Sequence, residues 1–372
     1  MTQSTRRTLL QTGLGLAMAQ TLPRAARAQP AAEPRFEPRV GAWRSFDVVT
    51  TVNVADVQGA TQLWLPAPQL DNDFQRSLAT TWSGNAASAT LVTDPKSGAR
   101  MLHAQFAPGE AAPTLTVTSR VQTRNRAVDW SKPAAAHESQ AVLKANLAPT
   151  ELQPLDGIVH VTALAATQGA TTDVEKARGI YNWVVTNAYR EPKVRGCGAG
   201  DIKAMLESGD LGGKCADLNA LFVGLCRSAG MPARDLYGLR VAPSAFGYRE
   251  LGGNPTSLKG AQHCRAEVYL RDYGWVAMDP ADVLKVMRQE KPEWIRDLNN
   301  PLIVPVKKAL FGSWEGNWVG FNSAHDIDLP GSGAQTTLPF LMYPQGQNTS
   351  GRFDELAPDS FRYTIAAKEL TV

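Results

Sequence analysis

Polar and hydrophobic residues alternate along the chain between Arg44 and Arg126, which is typical of strands with one buried face. The alternation is clear in Phe46–Val52 and in Thr114–Thr118, and turn residues such as Asp94–Gly98 separate segments of this kind. Successive side chains of a strand point to opposite faces of a sheet, so a period of two predicts one buried and one exposed face. We therefore predict an antiparallel, β-sandwich-like domain over residues 38–128.

The hydrophobic period changes from two to about 3.6 in the middle of the chain. Val174–Asn187 carries apolar residues at helical spacing, and the segment after residue 217 repeats the pattern at Leu218, Leu221, Phe222 and Leu225. Gly230 suits the left-handed position after a helix, and Pro232 prevents its continuation. The sequence predicts two helices with buried faces here.

A predicted β-hairpin follows the second helix. Arg265–Leu270 and Trp275–Met278 alternate in polarity, and a short polar segment joins them. Helices followed by a sheet indicate an α+β domain, which we place at residues 135–290. The remaining residues, 291–372, are rich in Gly, Pro and Trp and end in a predicted strand at Phe361–Ala366. We expect them to form an extension that packs on this domain.

The first 28 residues have the pattern of a twin-arginine export signal. Arg6 and Arg7 precede a short apolar run over Thr12–Leu22, and Ala26–Ala28 supplies the small-x-small pattern that a signal peptidase accepts. The apolar run is too short to span a bilayer. We therefore expect cleavage after Ala28 and a periplasmic or secreted protein without a membrane anchor.

Composition and charge narrow the class of protein further. Hydrophobic residues make up 43% of the chain and charged residues 20%, which is typical of a folded globular protein. Loss of the signal would remove four arginines and no acid, so the formal net charge would fall from +3 to −1. Nucleic-acid binding depends on a basic excess, so no nucleic-acid partner is expected. Nothing in the sequence indicates an oligomeric state.

Cys215 is the candidate nucleophile. It follows Gly212-Gly213-Lys214 directly before the predicted helix, where unpaired backbone N–H groups and the helix dipole stabilise a thiolate. His263 begins the first hairpin strand and Asp279 follows the second, so adjacent strands bring a base and an orienting acid together. The order and spacing of Cys215, His263 and Asp279 indicate a catalytic triad.

Spacing alone leaves the identity of the acid open. A tight turn centred between Asp272 and Tyr273 would put Asp282 opposite His263, with Asp279 diagonal to it. Asp217 is a further alternative, although an acid in the first turn of a helix is already explained by the dipole.

The other cysteines suggest fewer functions. Four cysteines are too few for a disulfide framework, although Cys197 could approach the site or bridge to Cys264. Cys226 falls on the helix and is expected to be buried. A zinc site built from Cys197, Cys215, His263 and Cys264 is a formal alternative. It is disfavoured because His263 and Cys264 are adjacent on a strand and should point to opposite faces.

Three sequence blocks resemble the signature of the transglutaminase-like superfamily, over roughly residues 172–282. The blocks are Gly213–Leu218 with its continuation Leu221–Arg234, then His263, then Gly274–Pro280. The resemblance implies a papain-like core with Cys215 as nucleophile, His263 as base and Asp279, rather than Asp282, as orienting acid. It is strongest to bacterial exported members of cysteine-protease type. Ala216 stands where the animal tissue enzymes carry a Trp, and no calcium loop is evident.

We therefore expect acyl transfer on amide bonds of a peptide or protein substrate, with hydrolysis as the first interpretation. Transamidation and a non-catalytic binding or scaffolding role are the alternatives. No cofactor and no metal are expected.

Overall fold

The computed structural model describes residues 35–55, 57–333 and 337–371, and the predicted export signal, residues 1–28, lies outside them. These described residues belong to one compact unit. The domain boundaries inferred from the sequence stay predictions. Within the described part of the chain, no helix is both long enough and apolar enough to cross a membrane.

Two antiparallel sheets dominate the first third of the described chain. One sheet has the strand order β17-β1-β6-β3 and the other the order β16-β15-β2-β5-β4. Their strands from this region are β1 (Arg44–Asn53), β2 (Gln62–Pro66), β3 (Gln75–Gly84), β4 (Ser88–Thr93), β5 (Arg100–Gln105) and β6 (Thr114–Thr123). Phe46, Val48 and Val52 of β1 are buried, which is the alternation that the sequence predicts.

Strands from the end of the chain complete both of these sheets. The C-terminal strands are β15 (Gln345–Asn348), β16 (Gly351–Arg352) and β17 (Tyr363–Leu370). β17 pairs with β1, and β15 pairs with β2. The last strand begins two residues later than predicted because the preceding segment forms the short helix α8 (Pro358–Phe361), with Pro358 in its first turn. The C-terminal residues therefore connect to the N-terminal sheets as well as to the α+β region.

The α+β region contains a four-stranded antiparallel sheet of order β12-β11-β10-β14. Its strands are β10 (Ala233–Arg240), β11 (Gln262–Leu270), β12 (Gly274–Met278) and β14 (Trp318–Asn322). The predicted hairpin is β11–β12, but its register places Met278 opposite Ala266 and so centres the turn on Asp272. The tight turn considered from the sequence is therefore wrong, since Asp272 and the residues beside it form a turn with an odd number of residues.

Helices surround this sheet, and α5 is the central one. The helices are α1 (Gln140–Ala145), α2 (Gly157–Ala166), α3 (Asp173–Asn187), α4 (Ile202–Ser208), α5 (Cys215–Ser228), α6 (Pro280–Gln289) and α7 (Ile303–Ala309). The four remaining short strands are β7 (Arg126–Ala127), β8 (Tyr189–Arg190), β9 (Gly212–Gly213) and β13 (Ser313–Trp314).

α3 and α5 confirm the two helices predicted from hydrophobic spacing. α3 begins with a capping box in which Thr172 and Glu175 bond each other's backbone N–H groups. α5 lies on β11 with α2, α3 and α6 around it, so nearly its whole circumference is buried. Gly230 follows α5 in the left-handed conformation (φ +83°), as predicted. The mixed α+β fold agrees with the fold class inferred from the sequence.

Candidate active site

Cys215 is the first residue of α5 and is 3% exposed. The carboxylate of Asp217 accepts the backbone N–H of Lys214 at 2.9 Å and that of Gly200 at 2.9 Å. Asp217 thus satisfies one free donor at the helix start and ties the preceding loop to it. This explains Asp217 as a structural residue, and the thiol of Cys215 is held where the helix dipole favours a thiolate.

The loop before the helix brings a second cysteine to the site. The Ala216 N–H donates to the Cys197 carbonyl at 2.9 Å, which ties residue 197 beside the helix start. Gly198 has φ +91°, and a Cβ built there would lie 1.8 Å from Oδ2 of Asp217. Only glycine fits this close approach, so the chain can pass Asp217 and place Cys197 next to Cys215.

His263 lies at the start of β11 and is bonded to a buried acid. Its Nε2 is 2.7 Å from Oδ2 of Asp279, which is the N-cap of α6 directly after β12. Both side chains are 2% exposed or less. The indole N–H of Trp318 also donates to the His263 carbonyl at 2.9 Å. Because Nε2 faces the acid, Nδ1 is the ring nitrogen available to Cys215.

Asp282 lies near the same imidazole but has a different main partner. Its Oδ2 is 3.4 Å from Nε2 of His263, whereas it accepts a hydrogen bond from the guanidinium of Arg240 at 2.6 Å. Arg240 comes from the end of β10 and is 3% exposed. Asp279 is thus the acid bonded to His263, and Asp282 is held in a buried ion pair.

Asn219 is a site residue that sequence reasoning missed. It lies one turn after Cys215 on α5 and is fully buried. Its side-chain amide donates to Oδ1 of Asp279 at 3.2 Å and to the Cys264 carbonyl at 2.8 Å. The signal in the sequence was a polar residue four positions after the nucleophile inside an apolar helix, which predicts the same helix face.

The charges around His263 favour its protonated form. Burial disfavours the imidazolium and Arg240 also opposes it, yet Asp282 and Asp279 together raise the pKa of His263 to about 9. Asp282 itself is buried, but Arg240 and His263 hold its pKa well below the usual range. The site therefore favours a charged histidine beside two carboxylates and one arginine.

Three thiols meet at the candidate nucleophile. The Sγ atoms of Cys197, Cys215 and Cys264 lie within 4.8 Å of one another. The expectation that opposite strand faces would keep His263 and Cys264 from sharing a site is wrong, because both lie at the start of β11, next to Cys215. His263 and Cys264 both lower the pKa of Cys215.

This arrangement gives Cys215 the character of a thiolate. Burial alone would raise its pKa, but the neighbouring thiols of Cys197 and Cys264 and the imidazole of His263 hold the pKa of Cys215 well below that of an ordinary thiol. Cys215 in turn raises the pKa of Cys197, whose Sγ donates to the Gln262 carbonyl at 3.4 Å, and burial raises the pKa of Cys264. All four cysteines are free and buried, with Cys226 away from this cluster.

The thiol cluster is also the place where a soft metal ion could be held. Zinc in a structural site needs deprotonated thiolates, usually four ligands in a tetrahedron. Here the raised pKa values of Cys197 and Cys264 favour their neutral forms, and Nε2 of His263 is already bonded to Asp279. The donor set therefore favours two thiols that stabilise one thiolate over a zinc site.

A cavity of about 620 Å³ leads to Cys215 and His263. The C-terminal segment supplies part of its wall, including Tyr343 and Tyr363. Gln262, which precedes His263, also lines it, and its side-chain amide is buried without a hydrogen-bond partner among the described residues. The site is thus a concave pocket lined by the nearly buried thiol of Cys215 and imidazole of His263.

The α+β fold thus places a cysteine at a helix start beside a buried histidine–aspartate pair. Residues 162–280 match the family model of the transglutaminase-like superfamily. The chain is also 33% identical over 328 residues to an uncharacterized protein from Haemophilus influenzae. The aligned region covers 84% of this chain and 87% of that protein. The chain belongs to the transglutaminase-like superfamily.

Two solved structures are similar to the chain at 15% identity. One is described as a putative cysteine protease from Cytophaga hutchinsonii, with a TM-score of 0.49 over 89% of this chain and 99% of that chain. The other is the periplasmic domain of TgpA from Pseudomonas aeruginosa, with a TM-score of 0.33 over 66% of this chain and 90% of that chain.

Proposed function

We propose that the protein is a cysteine peptidase or amidase in which Cys215 is the nucleophile, His263 the general acid and base, and Asp279 the orienting acid. The observation that carries this proposal is the 2.7 Å bond between His263 and Asp279 beside the Cys215 thiol. A thiolate, a charged imidazole and a fixed carboxylate in contact are what acyl transfer through a thioester requires.

The reaction follows from the positions of these groups. The Cys215 thiolate attacks the carbonyl carbon of an amide, and the new S–C bond gives a tetrahedral oxyanion. The backbone N–H of Cys215 at the helix start is the donor available to that oxyanion. His263 then protonates the leaving amine, the C–N bond breaks and a thioester remains. His263 then takes a proton from water, the resulting hydroxide attacks the thioester, and the C–S bond breaks. The carboxylic acid leaves, and the Cys215 thiolate is restored beside the protonated His263.

The acceptor that attacks the thioester decides the name of the activity. Water gives hydrolysis, and a primary amine gives transamidation. Hydrolysis ranks first because water is the abundant acceptor, and transamidation is the alternative outcome of the test below. The substrate proposed is a peptide or protein outside the inner membrane. This location rests on the export signal predicted for residues 1–28.

A peptide mixture tests the proposal and separates the two acceptors. The protein is incubated with a tryptic peptide mixture, with and without the fluorescent amine dansylcadaverine, and the products are read by mass spectrometry. We expect new peptide termini or deamidated side chains with the wild type, and none with Cys215→Ala. Incorporation of the amine in place of hydrolysis would select transamidation. Absence of any Cys215-dependent product, together with ordinary thiol reactivity, would indicate a binding or scaffolding protein.

A further inference from the structure

The cavity that holds Cys215 is lined by more cations than anions. Its wall contains one acid, Asp359, and five side chains from arginine and lysine, which are Arg190, Lys214, Arg240, Lys259 and Lys285. Such an excess around a concave site raises the local concentration of anions. Which of these cations are free to bind a ligand depends on their own partners.

Three of the five cations are already neutralised by protein carboxylates. Arg240 forms the buried pair with Asp282, and Lys259 pairs with Asp359. The Nζ of Lys285 lies 3.4 Å from Oε2 of Glu250. These contacts satisfy the three charges within the protein, so they leave little for a substrate.

Arg190 and Lys214 have no such partner. Within the part of the chain that the structure describes, neither forms an ion pair with an acid. Arg190 donates its Nε to the neutral side chain of Gln289 at 3.0 Å. The carboxylate of Asp217 accepts backbone N–H groups and forms no ion pair with the ammonium group of Lys214. Two half-buried cations thus line the cavity without an ion pair to a carboxylate.

The backbone holds these two cations together at the nucleophile. Arg190 ends β8, which pairs in parallel with β9 so that Arg190 is opposite Gly213. The N–H of Glu191 donates to the Gly213 carbonyl at 2.9 Å, which fixes this contact. Lys214 and Cys215 follow directly, and the proximity of Arg190, together with burial, lowers the pKa of Lys214. Two cations that repel each other across a cavity are a costly arrangement unless an anion joins them.

We propose that Lys214 and Arg190 bind a carboxylate of the substrate, so that the acyl donor is an acidic peptide. This inference rests on the proposed function and adds the class of substrate to it. A carboxylate is the anion that a peptide itself supplies, and a guanidinium with an ammonium group offers it several charge-assisted hydrogen bonds. The same two cations could instead serve only to stabilise the thiolate of Cys215, and the test must separate these roles.

Two alkylating reagents make this separation without a known substrate. Iodoacetate and iodoacetamide attack the same thiolate and lose the same iodide, but only iodoacetate carries a carboxylate. The rate constant for iodoacetate divided by that for iodoacetamide, both measured at Cys215, is therefore independent of the thiolate fraction. We expect the ratio to fall about tenfold in Lys214→Met and in Arg190→Gln, because each variant removes charge-assisted hydrogen bonds to the reagent. Lys193→Met removes an exposed charge from the same segment and should leave the ratio unchanged.

The outcomes separate this inference from the proposed function. A ratio that stays at the wild-type value in both variants overturns the acidic-peptide proposal, even when iodoacetamide shows an activated Cys215. An equal change in both rate constants, which leaves their ratio constant, assigns Lys214 and Arg190 to thiolate stabilisation and also overturns it. A Cys215 that reacts with neither reagent overturns the proposed function itself, and with it the inference about the substrate.

Direct binding supplies a second readout that needs no nucleophile. Cys215→Ala protein is titrated into dye-labelled pentaalanine peptides with a blocked C-terminus, each carrying Glu or Gln at one position, and fluorescence polarisation is recorded. We expect at least one Glu peptide to bind about tenfold tighter than its Gln counterpart and to lose this preference when Lys214→Met is added. Lys214→Arg should retain the preference, which controls for folding. The absence of any Glu preference across the set contradicts the proposal.

Discussion

Asn219 donates a hydrogen bond to Asp279 across 3.2 Å, and so connects the helix of the nucleophile to the acid of the candidate triad. The same amide group donates to the Cys264 carbonyl at 2.8 Å. Asn219 thus fixes α5, β11 and the start of α6 relative to one another. Through these contacts it positions Asp279 without touching the reacting atoms.

Asn219→Ala should therefore affect both stability and reactivity. Two buried acceptors, the Asp279 carboxylate and the Cys264 carbonyl, each lose one hydrogen bond, so we expect the free energy of unfolding to fall by about 1–3 kcal/mol. Misplacement of Asp279 should also slow Cys215-dependent turnover about tenfold and move the pH profile of Cys215 alkylation towards higher pH. Urea denaturation and the alkylation profile measure the two effects. Asn187→Ala, at an exposed position, is the control. An unchanged pH profile would show that Asn219 stabilises the fold without positioning Asp279 for the reactivity of Cys215.

Conversion to asparagine should mainly lower turnover at Asp279 and mainly lower stability at Asp282. Asp279→Asn should lower turnover by roughly 10²–10⁴-fold because the imidazole loses its orienting charge. Asp282→Asn leaves Arg240 buried without its partner, so we expect a loss of about 3–5 kcal/mol in unfolding free energy. Its effect on turnover should be the smaller of the two. Steady-state kinetics and urea denaturation of both variants check this, and the reverse pattern would make Asp282 the orienting acid.

The sequence predicts the triad more fully than the residues around it. Cys215, His263 and Asp279 occur in local motifs at the ends of a helix and two strands, so their order and spacing predict a histidine and an acid beside the cysteine. Arg240 lies in a strand whose neighbours depend on long-range pairing, and no local pattern links it to Asp282. The choice between Asp279 and Asp282 could not be made from spacing because it depends on the centre of one turn.

The pairing of the C-terminal strands and the contacts within the thiol cluster also could not be predicted from local sequence patterns. β17 contacts β1 across more than three hundred residues of sequence, and a strand pattern predicts the strand but not its partner. Cys264 reaches Cys215 because α5 begins beside the start of β11, and this relationship is set by packing. Period-two alternation describes only the two faces of one strand, so it could not show that His263 and Cys264 would both reach the same thiol.

The thiol of Cys264 should lower the pKa of Cys215 through its hydrogen bond. Cys264→Ala removes this bond, so the pKa of Cys215 should rise and alkylation near pH 6 should slow severalfold. Cys226→Ala also truncates a buried cysteine, but one that lies outside the cluster, and it should leave the profile unchanged. Mass spectrometry of the alkylated protein measures both. Equal profiles for the two variants would show that Cys264 does not lower the pKa of Cys215.

The pKa of His263 sets an alkaline limit on turnover. The Cys215 thiolate exists above the lowered pKa of that thiol, and the imidazolium that protonates the leaving amine exists below about pH 9. Turnover should therefore fall as the pH rises through about 9. In Asp279→Asn, one of the charges that raises this pKa is removed, so the limit should move to lower pH. A limit that stays in place, measured from residual turnover against pH, would show that another group causes it.

We infer that His263 activates Cys215 by favouring its thiolate. The pH dependence of Cys215 alkylation by iodoacetamide tests this inference most directly. An ordinary thiol reacts near its pKa of about 8.5. We predict that Cys215 reacts well below this pH in the wild type and loses that low-pH reactivity in His263→Ala, while Cys226, which is buried with a raised pKa, stays unreactive in both proteins. A wild-type profile like that of an ordinary thiol, or one that His263→Ala leaves unchanged, would contradict it.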